Sequence, residues 1–449
     1  MMLEMAVFSL LWLGLFSFAY VFRRNDLIGN FFIITQFIFV GMGVLIWPVI
    51  RDVAIDSAST YNLNLISSTD FLKTNGIMIL GVMLSYVLYQ LFVSVLKPSQ
   101  SINHLQRSIP LEHYFPLYKI PILGLVFVSL GCLFIYQNFS LLMIASSLTG
   151  SEALQSLAKA REESTSSYFL IMTVYNLLPA TSFAFLLISL KKKEKRWWGA
   201  FFITFVVAVL CLLLTFQKRP LLVYLMGVIF ILFIDRMIRS RGEKNINIFS
   251  IIMSLKWYIL AFFTLLTVFY YYYTDYRFNH DFIEAFLINS KISISRVIGR
   301  LSIPALMYSN YFPMQEGFYG FSNVGLISKF FGTPLYVDAK NVADYFSLIG
   351  EQGTVATSSF IDFYGGFGFY GVVIGSFFIA FILAIIECIR LNIRSQASYI
   401  YYSSVALIIV YYFSQASMFR VLLGYGGVFY LLTWFFLFHR FKLYENRNI

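Results

Sequence analysis

Two short stretches combine cations with helix-starting residues in a way that suits an anion. Gln217-Lys218-Arg219-Pro220 is the turn between two apolar runs, and proline fits the first turn of the helix that follows. A helix N-terminus offers unpaired backbone N–H groups and the positive end of the helix dipole. Lys218 and Arg219 beside it therefore form a site for phosphate. Arg420 repeats the arrangement ahead of the last apolar run. In Ser295-Arg296-Val297-Ile298-Gly299-Arg300 the two arginines stand four residues apart. On a helix they share a face and can fork onto paired phosphates. The competing readings are snorkelling to lipid headgroups for Arg219 and Arg420, and an interfacial helix with a basic edge for Arg296 and Arg300.

Proton transfer needs a different set of residues. Carboxylates gather between two late apolar runs: Asp275, Asp281, Glu284, Glu316, Asp338, Asp344, Glu351 and Asp362, with His280 among them. Any one of these is more often a solvated loop residue than a catalyst. The choice narrows at Gly350-Glu351-Gln352-Gly353, shortly before Asp362-Phe363-Tyr364-Gly365-Gly366-Phe367-Gly368-Phe369-Tyr370-Gly371. Glycines let a backbone turn sharply and approach a ligand closely. Glu351 is the first candidate for a base or acceptor-orienting group, Asp362 the second (or a helix cap) and His280 the third. Phe363, Tyr364 and Tyr370 offer faces on which a sugar ring can stack, the alternative being an aromatic belt at a membrane interface.

The elements that must position these groups are membrane spans. Hydrophobic residues make up 59% of the chain and charged residues 12%. A spanning helix needs about 20 mostly apolar residues, and eleven stretches qualify: 3–22, 28–50, 75–96, 120–141, 168–190, 197–216, 220–238, 257–273, 367–388, 398–416 and 421–439. The chain divides into eight spans over 1–273, one long polar loop at 274–366 (most polar over 274–358), and three spans with a short tail over 367–449. Long loops between packed elements are usually functional. Placing Arg23 and Arg24 in the cytoplasm puts 20 of the 33 basic residues on the inside. The positive-inside rule then sets the N-terminus outside, the C-terminus inside and the long loop outside. The run Lys191–Arg196 reads as a cytoplasmic anchor. The net charge of +11 reflects this topology and points to no nucleic acid. Cys132, Cys211 and Cys388 fall inside spans and read as small apolar core residues. The spans carry almost no charge at mid-membrane, which argues against an ion-coupled transporter.

The combination resembles the bacterial oligosaccharide repeat-unit polymerases, the Wzy-type family of O-antigen and capsule synthesis. The features that carry the likeness extend over most of the chain. They are the many spans, the single dominant outer loop late in the sequence, the turn Gln217–Pro220, and the Thr/Ser-rich lead from Thr354 to Ser359 into an aromatic-Gly helix start. The resemblance implies an all-α polytopic fold related to the GT-C glycosyltransferases, acting on the outer face of the bacterial cytoplasmic membrane. It implies transfer of a glycan from polyprenyl diphosphate to a hydroxyl of the next lipid-linked repeat unit. No metal or other cofactor is expected. The implied partners are the lipid-linked donor and acceptor, the bilayer and a chain-length regulator. An O-antigen ligase, with the same donor and another acceptor, and a lipid-linked oligosaccharide flippase are the alternatives. The large outer loop argues against the flippase, because alternating-access transporters build their sites at the midplane.

Overall fold

The computed structural model describes residues 2–23, 26–49, 61–96, 119–147, 168–215, 218–240, 302–332, 334–348, 357–393 and 395–438, with single residues at 264, 281, 283–284 and 355. Among them there is no strand, only an isolated bridge between Tyr61 and Ser347. The helices are α1 (Met2–Arg23), α2 (Leu27–Leu45), α3 (Ser68–Leu96), α4 (Lys119–Ser147), α5 (Phe169–Lys192), α6 (Lys195–Leu214), α7 (Lys218–Ser240), α8 (Ser302–Met314), α9 (Gly325–Phe330), α10 (Asp338–Phe346), α11 (Ser359–Asn392), α12 (Gln396–Phe413) and α13 (Gly427–Phe438). Seven of these, α2 to α7 and α11, are long and apolar enough to cross a bilayer. The chain is an all-α membrane protein.

Those seven coincide with expected spans. The expected spans at 3–22 and 421–439 appear as shorter apolar helices, Leu3–Ala19 and Gly427–Leu437. The stretch 398–416 is largely helical as α12, whose tyrosines and serines lower its hydropathy although nearly all of it is buried. The stretch 257–273 falls almost wholly outside the described residues. The long loop ends earlier than its sequence suggests, because α11 starts at Ser359. It is continuous across a sharp break at Phe367 (φ −143°, ψ 15°) and Gly368 (φ 64°, ψ −150°). The Gly368 conformation is open only to glycine.

The chain forms two compact units. The first contains residues 1–99, 292–389 and 409–424. Within it, α8 from the long loop is buried along most of its length and packs on α2 and α3. Polar bonds fix this docking. Lys73 Nζ donates to the Ser309 carbonyl (2.6 Å), and Asn310 Nδ2 reaches Asp70 (2.8 Å) and the Leu65 carbonyl (3.0 Å). Asp70 also accepts from the Ser67 amide and hydroxyl at the start of α3, so one buried carboxylate caps a span and holds the loop helix. The second unit contains residues 100–291, 390–408 and 425–449. Its helices α4, α5, α6 and α7 pack together. Asp235 of α7 pairs with Lys191 (2.8 Å) and Arg239 (2.6 Å), and Lys191 also reaches Gln396 of α12. One end of the charge run thus ties three helices together.

Glycine makes the break in α11 possible. A Cβ at Gly371 would lie 2.0 Å from the Phe363 carbonyl oxygen, and one at Gly375 would lie 2.3 Å from the Phe363 ring. Gly199 on α6 has nothing within 4 Å of such a Cβ. Gly371→Ala should therefore cost about 1–3 kcal/mol by forcing backbone apart, whereas Gly199→Ala should be neutral or stabilise by up to about 1 kcal/mol. Thermal melts of the two variants in one detergent check this. Equal melting temperatures would contradict the packed break.

Candidate functional site

In the first unit, the start of α11, the start of α10 and the loop between α8 and α10 gather a buried polar cluster. Asp362 occupies the first turn of α11, where a carboxylate suits the helix dipole. The Tyr319 hydroxyl shares its proton between the Asp362 backbone oxygen (2.7 Å) and Oδ1 (3.1 Å), and Asn323 Nδ2 donates to the same Oδ1 (3.0 Å). Among the described residues, Asp362 Oδ2 accepts no hydrogen bond. Asp338, at the start of α10, accepts from the Tyr308 hydroxyl through Oδ2 (2.6 Å) and from Arg420 Nη2 through Oδ1 (3.2 Å). The Asp338 side chain is 1% exposed and that of Arg420 is 39% exposed, so the arginine reaches from a buried anchor to the surface. Burial, with the charges of Asp362 and Asp338 adding to it, holds the Tyr319 phenol well above the usual tyrosine range. Burial and then Asp338 do the same for Tyr308. Both phenols are donors at neutral pH.

Local packing explains this arrangement. The Tyr319 and Gly320 amides donate to the carbonyls of Gly365 and Gly366 (3.4 and 2.9 Å), laying the loop on the top of α11. A Cβ at Gly365 would sit 2.8 Å from the Tyr319 ring, and one at Gly366 would sit 2.8 Å from the Gly320 oxygen. On its other side Tyr319 stacks on Tyr336 (5.2 Å, 23°), whose hydroxyl bonds Glu316. Beside the carboxylate lies a small recess walled by Phe321, Asn323, Phe363, Phe367 and Phe419, whose volume of about 10 Å³ is room for a single water molecule. A carboxylate oxygen and an amide beside aromatic rings can meet one hydroxyl at the mouth of this recess and accept its proton.

Of the expected stacking residues, Phe363 is buried and lines this recess. Tyr364 is buried among Phe312, Phe318 and Phe369, with Lys73 Nζ 5.9 Å from its ring centre. Tyr370 is 84% exposed on the apolar span. Of the expected cations, Arg420 belongs to the cluster just described. Arg219 lies in the second unit, at the start of α7. Its Nη1 donates to the Tyr425 hydroxyl (2.7 Å), and its guanidinium carbon stands 4.1 Å from the centre of the Tyr425 ring. Tyr425 sits between a π-helical turn, Arg420–Gly424, and Gly426, whose φ of +73° brings it hard against Asn176. Lys218 is in the first turn of α7. Glu351, His280, Arg296 and Arg300 lie outside the described residues. Tyr308, Tyr319 and Asn323 carry no sequence signal of their own; Gly365 and Gly366 signal a close approach without saying of what.

Comparison with models of known protein families, with curated proteins and with solved structures finds no match.

Two substitutions separate the bonds from the packing. Tyr319→Phe keeps the ring against Gly365 but removes the bond to Asp362, and should cost about 1–2 kcal/mol. Tyr425→Phe keeps the face under Arg219 and should lose less stability than Tyr425→Ala, which also removes a cation–π contact of about 0.5–2 kcal/mol. Chemical or thermal unfolding in detergent reads both. Wild-type stability of Tyr319→Phe would show that the hydroxyl is not bonded.

Proposed function

We propose that this protein is a metal-independent membrane glycosyltransferase that polymerises polyprenyl-diphosphate-linked oligosaccharide units on the outer face of the cytoplasmic membrane. The observation that supports it most is Asp362. Two neutral donors fix one of its oxygens, and the other accepts no bond among the described residues, at the rim of an aromatic recess. In this reading the terminal sugar of the acceptor presents one hydroxyl at the mouth of the recess. Asp362 removes the proton from the acceptor hydroxyl as its oxygen attacks the anomeric carbon of the donor. The new glycosidic bond forms as the bond to the diphosphate breaks, and the diphosphate leaves with the electron pair. Cations hold that leaving group in the absence of a developed covalent contact. Arg420 is assigned this task; Arg296 and Arg300, and separately Lys218 and Arg219 at the start of α7, are candidates for it on the strength of their sequence settings alone. Asp362 is named as the base here on its surroundings in the fold; Glu351 and His280, which lie outside the described residues, stay as the alternatives.

Asp362→Asn keeps the shape and the bond to Tyr319 but cannot take up a proton. It should reduce polymer by about two to four orders of magnitude, the usual worth of a general base, with single-repeat glycans accumulating and the protein still inserted. Polymer at the wild-type level would remove Asp362 from the reaction. Arg219→Ala should abolish polymer, with Arg219→Lys rescuing only in part because a point charge does not reproduce the guanidinium fork. Normal product from Arg219→Ala would reduce Arg219 to a structural partner of Tyr425.

The proposed orientation has its own test. Reporter fusions after Lys195 and Lys244 should read cytoplasmic, and fusions near Lys329 should read external. A cytoplasmic reading at Lys329 would place Asp362 on the wrong face for this chemistry.

A further inference from the structure

The loop between α8 and α10 makes an excursion that the glycosyl-transfer reading does not use. Its base is closed: the Tyr336 amide donates to the Ser322 carbonyl (3.0 Å), and Tyr319 and Tyr336 stack face to face. Below that base, Tyr319 and Gly320 are bonded to Gly365 and Gly366, at the end of span α11. The excursion is thus held beside the first turns of the helix that carries this span. It carries α9 and, at the end of α9, Phe330 and Phe331, which are 83% and 69% exposed and touch each other edge to face (5.2 Å). Leu335 and the exposed Lys329 flank them.

Adjacent phenylalanines this open are not sustained by water, and a patch of this kind marks an interaction surface. The base of the excursion adjoins an apolar stripe on α11, through Phe318 next to Tyr319. Phe318, itself exposed, packs against Tyr364 and over Gly368, next to Phe369 and Tyr370 on the open side of α11, where Val373, Ile374 and Phe377 continue the apolar stripe. A lysine beside aromatic residues is the composition of a segment seated at the headgroup boundary, with the ammonium at phosphate level and the rings about 5–10 Å deep.

We propose that the excursion between Ser322 and Tyr336 is a membrane foot, with Phe330 and Phe331 inserted into the leaflet at which α11 begins and Lys329 against lipid phosphate. The bilayer then braces the loop that carries Tyr319 and Asn323. This inference depends on the fold alone and stands whatever reaction the protein catalyses.

The full chain is prepared with Cys132, Cys211 and Cys388 replaced by alanine, and Phe331→Cys is labelled with an environment-sensitive fluorophore. It is placed in nanodiscs of phosphatidylethanolamine and phosphatidylglycerol, which leave both faces open to solution. Phe330→Cys is the second probe, should the first variant not fold, and Tyr370→Cys on the span is the lipid-facing reference. The foot predicts blue-shifted emission that is lost to lipid doxylated near the headgroup and retained against aqueous iodide. Emission lost to iodide and untouched by the doxyl lipid would overturn the proposal. So would blue-shifted emission that neither quencher reaches, which would mean that protein, a second copy or this chain itself, covers the two rings.

Discussion

Much of the first unit depends on one close approach: the backbone of Tyr319 and Gly320 lying on Gly365 and Gly366. A side chain at either glycine would push the loop away, by contact with the Tyr319 ring at one and with the Gly320 carbonyl at the other. Because the loop can come this near, the Tyr319 hydroxyl reaches the first turn of α11 and bonds Asp362 there. The same approach sets Phe321 against Phe367 and Phe419, and so walls the recess. The break at Phe367–Gly368 completes it, by separating the short polar start of α11 from the apolar helix that continues into the bilayer. A span that must be apolar and a helix start that must carry a carboxylate are thereby made compatible within one element.

Three of the described buried carboxylates are paired. Asp338 is balanced by Arg420 and bonded by Tyr308, Asp70 receives Ser67 and Asn310, and Asp235 stands between Lys191 and Arg239. An isolated charge in such surroundings would be costly, and a pair that satisfies its remaining lone pairs is tolerated. Asp362 differs, because its described partners are neutral donors that converge on one oxygen. Tyrosine is the recurring donor, since its ring fills apolar space while its hydroxyl satisfies a polar group. Tyr308 and Tyr319 act this way, while the Tyr425 hydroxyl accepts from Arg219.

The spans were legible because about twenty apolar residues in a row have few other uses, and seven of them stand in the structure where the sequence places them. The docking of α8 was not legible. Ser302–Met314 shows no helical amphipathicity, because it is buried nearly all round by α2, α3 and its own loop. At the site, Asp362 and Arg420 could be singled out from a glycine-aromatic helix start and from a cation placed against the charge bias. Their partners could not. Tyr308 and Asp338 stand thirty residues apart in sequence, and Tyr319 and Asp362 more than forty, so no local spacing announces either pair. The Gly-rich aromatic stretch reads as a sugar platform; in the fold Tyr364 and Gly365 pack internally, and of the three expected rings Phe363 lines the recess.

Glycosyl transfer and lipid movement differ in what they leave behind, and a purified reaction separates them. Wild-type protein in detergent, where no membrane exists to cross, is supplied with lipid-linked repeat units alone. The account predicts longer glycans together with one molecule of free polyprenyl diphosphate for every glycosidic bond formed. Unchanged repeat units in detergent, combined with their transfer between leaflets by the same protein in vesicles, would contradict it.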